Sequence, residues 1–216
     1  MAIQLDATSQ STESNTSSKT LSHTCSGSDR ILFVAGYIRG NGIVPTGATY
    51  AGQNMTKIGS NLVVSTNYYD KIFLYYLINP PTGANNIVVN FSSSNYNCIA
   101  GVSYTGAKQS GVPDASTENG PTSTQTLTTN LTTIANNCWT LLVGTSVNGS
   151  VVAGSGTTKR ADFVNGAIFD SNGAISPAGS TSLSFSNTNT ENKAAIMISF
   201  APFDVSTNPA FLLNFV

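Results

Sequence analysis

The chain has 216 residues, of which 40% are hydrophobic and only 9% charged, with a net charge of −1. Typical soluble domains carry roughly 25% charged residues, so neutral hydroxyls and amides must cover this surface. No basic run supplies the charge that drives nucleic-acid binding, and no apolar run approaches the ~20 residues of a membrane helix, so neither partner is expected.

Helical periodicity is nearly absent. Short apolar or alternating runs bounded by Gly, Asn, Ser and Pro predict strands throughout. The first residues, MAIQLDATSQ, lack the basic and apolar regions of a secretory signal. Within them IQLDAT (3–8) reads as a strand and 9–18 as a polar connection. TLSHTC (20–25) alternates, and RILFVAGYI (30–38) is apolar on both faces, as a central strand is. ATYAGQNMTKIG (48–59) reads as a hairpin turning at Gly52-Gln53. KIFLYYLIN (71–79) is again apolar on both faces and stops at Pro80-Pro81. NIVVNFSSS (86–94) and NCIAGVSYTG (97–106) follow. The Pro- and Gly-rich 107–125 reads as a long crossover connection. TLTTNLTTI, CWTLLVGTSV, TTKRADFVN, GAIFD, STSLSFSN and KAAIMISFAPF complete the strands. Ile31, Phe33, Phe73, Tyr75, Ile99, Trp139, Leu141, Ile196 and Ile198 are the expected core.

The two parts of the chain rhyme. SGSDRILFVAGYI is echoed by IANNCWTLLVGTSV, and NIVVNFSSSNYNCIAGVSYTGA by TSLSFSNTNTENKAAIMISFAP. Ten or more turn-bounded strands in two such parts predict an all-β antiparallel β-sandwich, jelly-roll-like with Greek-key connections. One sandwich domain is expected over 1–206, followed by an apolar C-terminal arm or last strand at 207–216.

Catalytic and metal motifs are sparse. There is no GxSxG, P-loop or HExxH sequence. The single histidine, His23, shares an alternating stretch with Cys25, but a nucleophile–base pair needs a third group to orient it, and none is marked nearby. His23 is therefore expected to be structural, at a sheet rim, with no catalytic residue in the chain. Cys25, Cys98 and Cys138 lack metal-ligand spacing and are expected as buried free thiols, though one disulfide remains open. Asp170-Ser171-Asn172-Gly173 holds part of a calcium-loop pattern without its closing Glu and reads as a turn. No cofactor or metal is expected. A glycan-cleaving activity would need paired carboxylates in a cleft, usually with several tryptophans, and Trp139 stands alone.

The ordered set LSHTCSGSDRILFVAGYI, TYAGQNMTKIG, YYLINPPTGANNIVVNFS and GVSYTGA, covering 20–107, resembles a β-sandwich domain that recurs in phage structural proteins and microbial surface proteins. The resemblance implies adhesive or virion-building roles and carries over no catalytic residue. Tyr50, Gly52, Met55 and Pro80-Pro81 match as architectural positions.

The expectation is thus a non-enzymatic virion structural protein: a head decoration, tail or fibre component that associates with itself or other virion proteins. Phe211, Leu212, Leu213, Phe215 and Val216 would make those contacts, because five large apolar residues near a chain end call for burial. The alternative is an extracellular or cell-surface adhesin that contacts host glycan through Tyr68, Tyr69 and Tyr96.

Overall fold

A strand that is apolar on both faces needs a packed layer on each side. The computed structural model of the chain, which describes residues 1–203, supplies both layers. Strands β1 (Gln4–Gln10), β2 (Ser14–Cys25), β3 (Ile31–Ile38), β4 (Pro45–Tyr50), β5 (Gln53–Asn54), β6 (Thr56–Ser65), β7 (Asp70–Ile78) and β8 (Gly83–Thr105) form one sheet. Strands β9 (Ala115–Thr132), β10 (Trp139–Ser146), β11 (Val152–Ala153), β12 (Thr158–Phe163), β13 (Gly166–Asp170) and β14 (Ser180–Phe200) form the other. The pairings are antiparallel in both sheets, giving an all-β sandwich.

Both sheets are built on the same plan. β8 is flanked by β1 and β2 on one side and by β3 and β4 on the other. β14 is likewise flanked by β9 on one side and by β10 and β11 on the other. β7 and β6 continue the first sheet from β3, as β13 and β12 continue the second from β10. Residues 91–94 of β8 stand opposite Ser17 alone, and residues 187–190 of β14 opposite Gln125 alone. At these corners each long strand turns over its own sheet. The turn is visible in contacts between residues distant along the ladder: a Cβ placed on Gly101 would meet Ile87 Cδ1 at 2.7 Å.

The result is three apolar layers of packing. Ile31, Phe33, Ala35 and Tyr37 point into a central core shared with Trp139, Leu141, Val143, Ile196 and Phe200 of the second sheet. Their neighbours Leu32, Val34 and Ile38 point the other way, into a core closed by Ile87, Val89 and Phe91. Leu142, Phe169 and Met197 do the same with Leu127, Leu183 and Phe185. This explains why β3 and β10 are buried at every position, and all nine residues expected in the core are buried.

Several boundaries differ from the sequence reading. The connection expected at 107–125 covers only 107–114, because Ala115–Thr132 is one long strand. Its breaker residues are accommodated at an edge: β9 pairs only with β14, and Gly120-Pro121 occupies a register shift opposite Ala194. The polar stretch 9–18 is also mostly strand, interrupted only at 11–13. The β4–β5 hairpin turns one residue early, at Ala51-Gly52, whose positive φ values of 49° and 77° suit a two-residue hairpin turn. Cys25, Cys98 and Cys138 are buried free thiols. Tyr50 and Met55 are buried in the first sheet's own core, and Arg30 braces the loop after β7 through Pro80 O and Asn79 Oδ1.

Candidate functional site

Two constellations stand out, and both belong to the first sheet. The first lies where the β3–β4 loop, the β6–β7 turn and the β8 corner meet. Backbone bonds join these segments, with Arg39 N–H donating to Tyr96 O at 3.1 Å and Gly40 N–H to Tyr68 O at 3.1 Å. The buried Lys71 ties them further, donating from Nζ to Gly40 O at 2.6 Å and to Tyr69 O at 2.9 Å. Tyr68, Tyr69 and Tyr96 are thereby gathered on one tip, exposed at 55%, 41% and 47%. They do not cap the core.

Arg39 sits among them. Its guanidinium carbon lies 4.9 Å from the centroid of the Tyr68 ring, within cation–π range. Its Nε donates to the buried Asp70 Oδ1 at 3.1 Å, and Tyr37 OH donates to the same oxygen at 3.0 Å. Burial works against the charge on Arg39, but the bond to Asp70, together with the further pull of Tyr37 and of the Asp70 charge, outweighs it and raises its pKa. Burial, and then the nearby Asp70 charge, push the Tyr37 phenol up, so it stays a donor. Tyr69 has φ +54°, a left-handed conformation uncommon for a bulky residue, and the Lys71 bond to its carbonyl helps hold it. Such strain is often found at contact surfaces. The tip thus offers a pre-set planar cation and three aromatic faces with phenol edges.

The second constellation corrects the expectation for His23. The residue is buried, 2% exposed, and is not at a rim. The corner in β8 brings it against residues from β1 and from the far half of β8. Ser9 Oγ lies 2.8 Å from His23 Nδ1, and Ser103 Oγ lies 3.0 Å from Nε2. Ser103 donates to Asp6 Oδ2 at 2.8 Å. Asp6 also receives the Ser26 backbone N–H at 2.9 Å and the Ser26 hydroxyl. Burial pushes His23 down to about 4, against the opposing pull of Asp6. Burial also disfavours charge on Asp6, yet the bonds from Ser26 and Ser103 outweigh it and lower its pKa. The orienting group that the sequence did not mark is therefore Asp6, acting through Ser103. Cys25 lies beside Ser103 and Tyr50, and its thiol is pushed up by burial against their opposing pull.

Other candidates have structural duties. Asp170 is buried, accepting from Arg160 Nε and Tyr104 OH, each at 2.7 Å. Among the described residues no three His, Cys, Asp or Glu side chains group as metal ligands. An open cleft of about 830 Å³ lies at the other end of β3, lined by Met1, Ile3, Lys108, Asn136, Trp139 and Phe203 among others. Trp139 there packs edge-on against Tyr104 at 5.6 Å. Phe211, Leu212, Leu213, Phe215 and Val216, assigned to partner contact, lie outside the described residues. Compared with known proteins, the chain matches no family model, no curated protein and no solved structure.

Proposed function

We propose that the chain is a non-enzymatic adhesive structural protein that contacts a glycan through the tip carrying Tyr68, Tyr69, Tyr96 and Arg39. The observation that carries this reading is the convergence of three exposed tyrosines, two from the β6–β7 turn and one from β8, around a stacked, anchored arginine. Tyrosines give apolar faces for sugar C–H groups and hydroxyls for hydrogen bonds, at little cost in side-chain entropy. The anchored Arg39 adds directional donors. A surface with so few charges suits a ligand recognised by many neutral polar contacts.

The test is a glycan array followed by titration of the best binder. Changing Tyr68 and Tyr96 together to Ala should weaken binding at least about 10-fold, roughly 1.4 kcal/mol, with the unfolding midpoint unchanged. An array with no glycan above background, or a double variant that binds as well as the parent, defeats the proposal.

The setting we propose is a virion, in a decoration, tail or fibre role, with a cell surface as the alternative. Its support is the low charge, the β-architecture and the resemblance of 20–107. The apolar sequence AFLLNFV adds self-association or contact with other virion proteins to this reading. Sedimentation of the full chain beside a chain lacking 208–216 tests it: a full-length chain that stays monomeric and joins no particle argues against assembly.

A further inference from the structure

The repeated plan supplies an internal comparison for the His23 network. Ile31 pairs Tyr104 as Trp139 pairs Phe200, Ser9 pairs Gly101 as Thr117 pairs Met197, and Ala7 pairs Ser103 as Ala115 pairs Ser199. At the far end Cys25 pairs Gly83, and Thr133 N–H donates to Gly179 O. By these registers, His23 corresponds to Leu131, Ser9 to Thr117, Gly101 to Met197, Ser103 to Ser199 and Asp6 to Asp114. The second sheet fills the position with the apolar pair Leu131 and Met197. The fold therefore does not require a histidine here. The first sheet gives up a side chain at Gly101, and the vacated space is lined by Ser9 Oγ and His23 Nδ1, 3.1 and 3.4 Å from where a Cβ would be. Ser199 Oγ, with no imidazole opposite it, is buried without a partner.

The bonds also fix the tautomer. Ser103 spends its proton on Asp6, so its oxygen accepts from His23 Nε2–H. His23 Nδ1 is then left bare and accepts the proton of Ser9. We propose that Ser9 is an acyl-acceptor site: its hydroxyl, polarised by His23 Nδ1, takes an acyl group from an activated donor such as an aryl ester or thioester. Ser9 Oγ bonds to the acyl carbon and the carbon–leaving-group bond breaks. The leaving group departs with the electron pair, and the Ser9 proton passes to Nδ1 and then to solvent. Ser9 is half-buried on an edge strand, so a small donor reaches it from the open side of β1. Ser103 and Asp6 are positioning residues that hold the ring in the reactive tautomer. The weak basicity of the buried ring makes this a slow, stoichiometric modification, with the acyl group retained. The inference stands apart from the sugar reading.

The test uses the full chain and p-nitrophenyl acetate. One nitrophenolate per chain should be released, and mass spectrometry should place the acetyl group on Ser9. S9A should abolish that label. H23L, which copies the residue of the second sheet, should stay folded and slow acylation by at least about 100-fold. His23 is the only histidine, so nitrogen NMR reads its ring without ambiguity. Nε2 should carry the proton in the parent, and S103A should lose that preference. A parent ring protonated on Nδ1, no label on Ser9, or equal labelling in a folded H23L overturns the proposal.

Discussion

A buried imidazole that is neutral in the folded protein takes up a proton when the chain unfolds in weak acid. The His23 pKa is pushed down from 6.5 to about 4. Its contribution to stability is thus complete above pH ~6.5 and is lost as pH falls toward 4, in total about 3 kcal/mol. Asp6 acts lower: its depressed pKa helps stability above its ordinary carboxylate range and is lost below it. Urea unfolding of the parent should show a midpoint falling between pH 6.5 and 4, and H23L should flatten that fall. Equal slopes for parent and variant would mean that other groups control acid stability. Little of this network was legible in the sequence. Its members are spread over Asp6, Ser9, His23 and Ser103, and only the β8 corner brings them together. Tyr68 and Tyr69 were easier to read, because large aromatic residues in a short polar turn have no strand partner to cover them; Tyr96, within β8, pairs with Asn15 and is exposed all the same.

At the scale of elements, close approach between the two levels of each folded sheet sets what each strand tolerates. A Cβ on Gly144 of β10 would meet Phe185 Cε1 at 2.5 Å, and Phe185 stacks on Phe169 at 5.7 Å in the second sheet's own core. Gly144→Ala should therefore destabilise by about 1–3 kcal/mol through overpacking. Phe33→Ala should cost about 3–5 kcal/mol, since that ring lies 5.1 Å from Phe200 in the shared core. Denaturant melts measure both, and a loss under ~0.5 kcal/mol for either would mean the layers are less tightly packed than described. β3, β7 and β10 were readable because burial on both faces leaves a continuous apolar run. β9 was not, because an edge strand accepts Pro121 and a polar outer face that elsewhere mark a loop.

The shared core governs the molecule as a whole. Phe33 and Tyr104 of the first sheet and Trp139 and Phe200 of the second interlock there. Neither half can lose its packing without exposing the apolar face of the other, so unfolding should be a single transition. Trp139, the sole tryptophan, reports on the second sheet, and far-ultraviolet circular dichroism reports on both. Their denaturation curves should coincide, and a Trp139 transition displaced from the dichroism curve would show that the halves melt separately. The rhyme between the two sequence parts anticipated paired architecture. It did not show that each part folds over itself and also lends one face to the other, since that depends on the corners at 91–94 and 187–190.

Those corners also bear on synthesis. Each long strand, β8 or β14, comes last in its sheet yet pairs with the first strands of that sheet. No nascent chain can complete the first sheet until residue 105 has left the ribosome, and pairings so distant in sequence form slowly. Once complete, that half presents Ile31, Phe33 and Tyr104 to water until β10 and β14 arrive to cover them. A neighbouring chain at the same stage offers the same face, built on the same plan. The interval between the two halves is therefore when mispairing between chains competes with folding, and crowded production should favour swapped assemblies over sandwiches each built from one chain.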